Sequence, residues 1–291
     1  AAAGVFLATL WTASAAAAQC TSLLVEIREY AHFPTLERSA TSIRAFAATL
    51  EEIGLASPRH IRTMADDDDG TQQFPIRDNL VRALEELGDG QSTDVPRLLL
   101  MVVRVVRAGN EIALVPADGD PGKPATLITL PDLLKASGGD RNAGLLIILD
   151  QLVEEEDVEG LRTSVATLPD RTSQILLLIR SGEAPDGNLL GRNLRLAAEG
   201  AADVWENGNR DGVISLRELA EYTAFRLKEL EGGGFSAAFL PGRSSGVEAL
   251  RRPVPDFVPQ FTGEARAVRG LAEQPPVKDA VAGILEEVAQ A

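Results

Sequence analysis

The clearest chemical spacing in the chain lies in the twelve residues Asn207-Gly-Asn209-Arg-Asp211-Gly212-Val213-Ile214-Ser215-Leu-Arg-Glu218. An EF-hand-type loop holds calcium with oxygen ligands at alternate positions, a backbone carbonyl midway, a closing glutamate and a glycine at the sharp turn. Here Asn207, Asn209, Asp211, Ser215 and Glu218 offer side-chain oxygens, Val213 offers the carbonyl, Gly212 takes the turn and Ile214 is the aliphatic beside it. Asn207 stands where such loops carry aspartate, which lowers the ligand charge. The same residues also suit a bland role, because Ser215 followed three positions later by Glu218 is a capping box that starts a helix. The expectation is a protein that needs no cofactor and binds calcium weakly, if at all.

Nucleophile chemistry is limited by counts: one cysteine and two histidines among 291 residues. A disulfide framework and Cys/His zinc sites are thereby excluded. The cysteine, Cys20, closes an apolar, uncharged run, AAAGVFLATLWTASAAAAQC, with an Ala-x-Ala pattern at Ala16 to Ala18. Residues 1–20 therefore read as the remnant of a secretory signal peptide, which predicts a secreted or periplasmic protein whose only thiol lies outside the folded domain. Lipidation of Cys20 is the alternative, disfavoured by Gln19 in the place where a small residue is wanted. The 28 basic and 43 acidic side chains give a net charge of −15, which repels nucleic acid and anionic membrane surfaces and favours a protein or basic peptide as partner. Most of the acidic runs, such as Asp66 to Asp69 and Glu154 to Asp157, read as solvated loops.

These groups must be positioned by elements that alternate apolar runs with amphipathic stretches, the pattern of βα units around a largely parallel sheet. Strands are expected at 21–27, 59–64, 98–106, 111–115, 144–149 and 174–179, and helices at 38–53, 78–87, 131–136, 189–198 and 216–230. The runs LLIILD and ILLLI lack alternation, as strands covered on both faces do. A proline-rich strap at 251–263 and a helix at 277–288 end the chain.

The order and wording of these segments resemble the caspase-like peptidases of bacteria, of the metacaspase or orthocaspase type. LLVEIREYAHFPTLERSATSIRAFAATLEEIGL is similar to that family's opening strand, loop and first helix, RDNLVRALEEL to its second helix, and VRAGNEIALVPADGD to the stretch after its catalytic histidine. LLIILD resembles the strand that delivers its cysteine, and NGNRDGVISLRELAEY an acidic loop and helix near the end of the domain. The resemblance implies a caspase-like three-layer α/β fold, with a mostly parallel central sheet and helices on both faces, over residues 21–262, followed by a helical tail at 263–291.

It also implies a histidine and a cysteine at the ends of neighbouring strands, where a thiolate attacks with imidazole as its base. Aligned on VRAGN and LLIILD, those positions fall on Arg104 and Leu152, 48 residues apart. Arginine cannot give up its proton near neutral pH, and leucine has no nucleophilic atom. The glycines beside the family's histidine are here Val103 and Val105, which favour continued strand. Asp150 is what remains of the carboxylates lining the pocket for a basic side chain, whose other polar positions fall on Thr41 and Ser42, and its alternative role is that of a strand-end carboxylate hydrogen-bonded to nearby amides. Asp118 and Asp120 lie near positions that calcium-dependent relatives use.

The expected function is a catalytically inactive binding or regulatory module that meets its partner around Asp150 and the acidic run after it. The alternatives are an active cysteine-type endopeptidase cleaving after basic residues, as the family implies, and a calcium-responsive structural domain.

Overall fold

The computed structural model describes residues 20–35, 42–66, 74–89, 95–108, 111–139, 144–152, 159–160, 163–164, 168, 173–180, 189–211, 213–228, 235–241 and 249–250. The strands β1 (Thr21–Glu26), β2 (Ile61–Ala65), β3 (Arg97–Ala108), β4 (Glu111–Leu114), β5 (Ile128–Thr129), β6 (Leu145–Leu152), β7 (Gln174–Arg180), β8 (Ile214–Ser215), β9 (Phe235–Leu240) and β10 (Ala249–Leu250) alternate with helices α1 (Ile43–Glu52), α2 (Arg77–Gly88), α3 (Leu130–Ser137), α4 (Leu189–Leu196) and α5 (Leu216–Lys228).

The main sheet has the order β2-β1-β3-β6-β7-β9. β2, β1, β3, β6 and β7 run parallel, and β9 is antiparallel at the edge. Helices cover both faces, giving a three-layer α/β fold. On one face odd-numbered residues of the first strands, such as Leu23, Val25, Leu99 and Met101, pack with Leu80 and Leu84 of α2 and Leu133 and Leu134 of α3. On the other, Leu24, Leu98, Leu100, Leu146 and Ile148 pack with Ile43, Phe46 and Leu50 of α1, Leu190 and Leu194 of α4, and Leu219 and Ala220 of α5. Period-two geometry sends neighbouring residues to opposite faces, so a strand covered twice is apolar at every position. Leu145 to Leu149 are each at most 1% exposed, and each such side chain contributes about 1.5–3 kcal/mol by leaving water.

β3 runs on without a break from the parallel sheet into a hairpin: Arg97 to Arg104 pair with β6, and Val105 to Ala108 pair antiparallel with β4. Val103 and Val105 thus lie within continuous strand, where β-branched side chains fit the pleat. α2 has no cap from its own leading residue, Ile76. Asp118, in the loop after β4, takes that part by accepting a hydrogen bond from the Arg77 amide at 2.8 Å.

β9 was not foreseen. FSAAFL is short and has small residues at its centre, so the run looks like a loop until β7 offers its edge. The helical run expected over 189–198 is present, as α4 and a wider π-type turn after it, and Gly200, with φ of 128°, kinks it just beyond. The strap at 251–263 and the helix at 277–288 lie outside the described residues. No helix among the described residues is long and apolar enough to cross a membrane.

Candidate functional site

Parallel strands end together, so the carboxyl edge of the sheet collects the residues that follow each apolar run. Glu26, Val102, Asp150 and Leu178 form one register row across β1, β3, β6 and β7. Two residues further on, Arg104, Leu152 and Arg180 form the next. Arg104 and Leu152 are direct register partners, with backbones about 4.8 Å apart at ordinary strand spacing. Open α/β sheets bind ligands outside this edge, where connections leave in opposite directions.

Arg104 is held on two sides. Its amide donates to the Tyr30 hydroxyl at 2.8 Å, and that hydroxyl donates to the Ile27 carbonyl at 3.0 Å. Its guanidinium carbon lies 5.7 Å from the centre of the Phe33 ring, within cation–π range, and Phe33 in turn meets the Tyr30 ring edge-on at 6.1 Å. Burial pushes the Tyr30 phenol above its ordinary pKa, so it stays protonated as a hydrogen-bonding post. None of these groups can take a proton from a nucleophile.

Asp150 corrects an expectation. Its carboxylate is 2% exposed, and both oxygens accept from Arg180, Nε to Oδ1 at 2.6 Å and Nη2 to Oδ2 at 2.7 Å. It is spent inside the fold on a bidentate pair rather than presented to a basic ligand. The apolar run ILLLI ends at Ile179, so the sequence alone does not bring Arg180 into the strand. The signal was an arginine closing one buried strand beside an aspartate closing its neighbour. The acidic residues 154–157, expected to share in binding, lie outside the described residues.

Neighbouring polar groups do similar internal work. Glu26, 3% exposed, pairs with Arg28 Nε at 2.8 Å and accepts from the Ile43 amide at the start of α1 at 3.4 Å. Ser42 caps that helix through the Ala45 amide. Asp66 receives the Arg28 and Glu29 amides, tying the end of β2 to the loop after β1. Gln151 donates to the Met101 carbonyl at 3.2 Å. Asp120 pairs with Lys123 at 2.9 Å and accepts from the Gly122 amide. The Lys123 bond holds its carboxyl below the usual range.

Cys20 is the second correction. The thiol is not outside the folded domain: Cys20 is 2% exposed, packs in the core with α1, and its amide donates to the Leu55 carbonyl at 2.7 Å. Burial pushes the thiol pKa up to about 12, so the nucleophilic thiolate is scarce at neutral pH. It also sits at the opposite edge of the sheet. Thr21 pairs with Arg97, seven residues before Arg104, a distance of about 23 Å along a strand. His60 lies at that far edge too, its Nδ1 3.1 Å from Ser57 Oγ, and His32 is an exposed residue in the bend after β1. A thiol-reactive dye at pH 8 is expected to leave Cys20 unlabelled in the folded protein and to label it fully in guanidinium. Rapid labelling without denaturant would contradict the burial.

The loop at 207–218 closes on itself. Glu218 Oε1 accepts from the Asn209 amide at 3.1 Å, and Oε2 accepts from the Ser215 amide at 2.9 Å and its hydroxyl at 3.0 Å. The Glu218 amide donates back to Ser215 Oγ at 3.1 Å, completing the capping box for α5. Asn209 accepts from the Asp211 amide, and Asp211 from the Val213 amide. The Asn207 position begins the loop in a turn, and β8 pairs antiparallel with β10. Among the described residues no group of three or more His, Cys, Asp or Glu side chains gathers where a metal ion could sit. Of the oxygens that fit calcium by spacing, those of Asn209, Asp211, Ser215 and Glu218 hold the loop's own amides.

No family model matches the sequence, and no curated protein matches it. Among solved structures, the chain is similar to a structural-genomics protein of Geobacter sulfurreducens, at 13% identity and a TM-score of 0.49, covering 81% of this chain and 98% of that one. It is also similar to the Drosophila initiator caspase Dronc, at 10% identity and a TM-score of 0.44, covering 76% and 78%.

Proposed function

We propose that the chain is a secreted caspase-like domain that has lost its catalytic dyad and works as a binding or regulatory module for a protein or basic peptide. The observation that carries this is the register pair Arg104 and Leu152. The two positions assigned to base and nucleophile lie side by side in the last pair of the parallel β3–β6 ladder, and neither residue type can do the chemistry. The ordered resemblance of the segments, the parallel sheet order and the placement of Cys20 at the other edge support the same view. The net charge of −15 favours a cationic partner.

The test is hydrolysis of fluorogenic Arg and Lys peptides by the purified protein, with and without calcium. The expected signal equals that of a boiled control, and turnover above it overturns the proposal in favour of the peptidase alternative. For the loop at 207–218 we take capping as the working role, because a cation would have to displace the amides bound to Glu218. Calorimetry with millimolar calcium is expected to give no binding heat, and a saturable heat would restore the calcium-responsive alternative.

A further inference from the structure

The dipeptide Asn207-Gly208 occurs once in the sequence, at the start of the loop that leads into α5. It sets a side-chain carboxamide before a backbone nitrogen that no side chain screens, because glycine lets other atoms approach its main chain closely. That combination permits a reaction within the chain. The Gly208 nitrogen gives up its proton and attacks Asn207 Cγ, the new C–N bond closes a succinimide ring, and the side-chain nitrogen leaves as ammonia. Water then adds to one of the two imide carbonyls and breaks its bond to the ring nitrogen. Aspartate or isoaspartate results, with one water consumed and one ammonia released per event.

The surroundings set the conditions for this step. Asn207 is exposed in the turn, so water reaches its side chain. Asn209 differs: it precedes Arg210, and its carboxamide is held at both ends by Asp211, Oδ1 accepting from the amide at 2.9 Å and Nδ2 donating to the carboxylate at 3.0 Å. The attacking nitrogen is engaged in the closed turn. The Gly208 amide donates to the Trp205 carbonyl at 3.1 Å, and the Arg210 amide donates to the Asp203 carbonyl at 3.1 Å just beyond it. The first bond must break before that nitrogen can attack, and the second holds the turn closed around it. Arg210 has a φ of 58°, a left-handed conformation that L side chains disfavour, so opening the turn releases strain.

We propose that Asn207 is a site of spontaneous deamidation gated by opening of this turn, and that the isoaspartyl product keeps the turn open. Isoaspartate routes the main chain through the former side chain and adds one methylene between residues 207 and 208. The Gly208 amide then no longer meets the Trp205 carbonyl in the same geometry, and the packing of Trp205 on Phe225 of α5, at 5.1 Å, loosens with it. Ordinary aspartate at this position changes only the charge. The inference is independent of the binding-module proposal.

Peptide mapping by mass spectrometry during incubation of the intact chain in mildly alkaline buffer tests this, with a second sample in guanidinium. Residue 207 is expected to convert in the folded protein roughly tenfold more slowly than in guanidinium, the factor that one intact hydrogen bond supplies. Asn209 is expected to stay unconverted in the folded protein, as is position 207 in Asn207→Gln, whose longer side chain closes a less favourable ring. No conversion of the folded chain by the time the unfolded one is complete, equal rates in both, or undiminished ammonia release from Asn207→Gln would each overturn the gated site. The isoaspartyl fraction is expected to unfold at a lower temperature than Asn207→Asp, which carries the same charge on an unaltered main chain. Equal midpoints for those two would overturn the opening of the turn.

Discussion

Asp150→Ala is expected to destabilise the protein by about 3–5 kcal/mol, because it leaves the Arg180 guanidinium buried without its carboxylate. Arg180 is 7% exposed and Asp150 2%, so neither charge can recover its loss from water. For a domain of this size the change corresponds to a drop of roughly 6–20 °C in the midpoint of thermal unfolding. Arg180→Ala is expected to cost a similar amount for the mirrored reason. The informative variant is the double replacement Asp150→Leu with Arg180→Met, which removes both charges and restores apolar volume. Buried ion pairs exchanged whole for apolar residues are often neutral or stabilising, so the double variant is expected to lie well above either single one. Urea denaturation of the four proteins checks this. Single variants as stable as the parent would show that the pair is open to solvent and that Asp150 is available to a ligand after all.

Gly208→Val is expected to be the next most damaging change, at about 1–3 kcal/mol for forcing atoms into a packed site. A Cβ on Gly208 would meet the carbonyl of Asp203 and lie 2.6 Å from the Ala202 oxygen. These are backbone atoms, which cannot swing aside as a side-chain tip does. The chain is drawn tight here by hydrogen bonds from the Gly208 amide to the Trp205 carbonyl and from the Arg210 amide to the Asp203 carbonyl, both 3.1 Å. Relief of the clash must therefore open the turn leading into Asn209 and loosen the Glu218 closure. Trp205 packs against Tyr222 and Phe225 of α5 at 5.6 and 5.1 Å, so its fluorescence reports the opening. An unchanged emission spectrum and midpoint would mean that the turn has slack.

Much of the sheet was legible because its strands are buried on both faces. LLIILD and ILLLI can be satisfied by few environments other than a covered parallel sheet, and their spacing fixed which residues would reach the carboxyl edge. The adjacency of Arg104 and Leu152 follows from that register alone. β9 was illegible because FSAAFL becomes a strand only against β7, and a cross-strand partner is not written in the strand itself. Cys20 was misplaced for a related reason. A cysteine that follows an apolar run looks the same whether it stays outside the domain or joins the first strand, and only its contact with Leu55 places it in the core.

The residue types by themselves determined that no imidazole or thiol stands at positions 104 and 152, that the chain carries a strong negative charge, and that Ser215 and Glu218 could cap a helix. Those are properties of composition and short spacing, and no folding can change them. Which charges remain available was decided only in three dimensions. Asp150 is sealed by Arg180, thirty residues away in the chain, and Glu218 accepts from the amides of its loop. A carboxylate's chemistry depends on whether water, a ligand or a buried donor completes its hydrogen bonds, and that choice is made by tertiary packing.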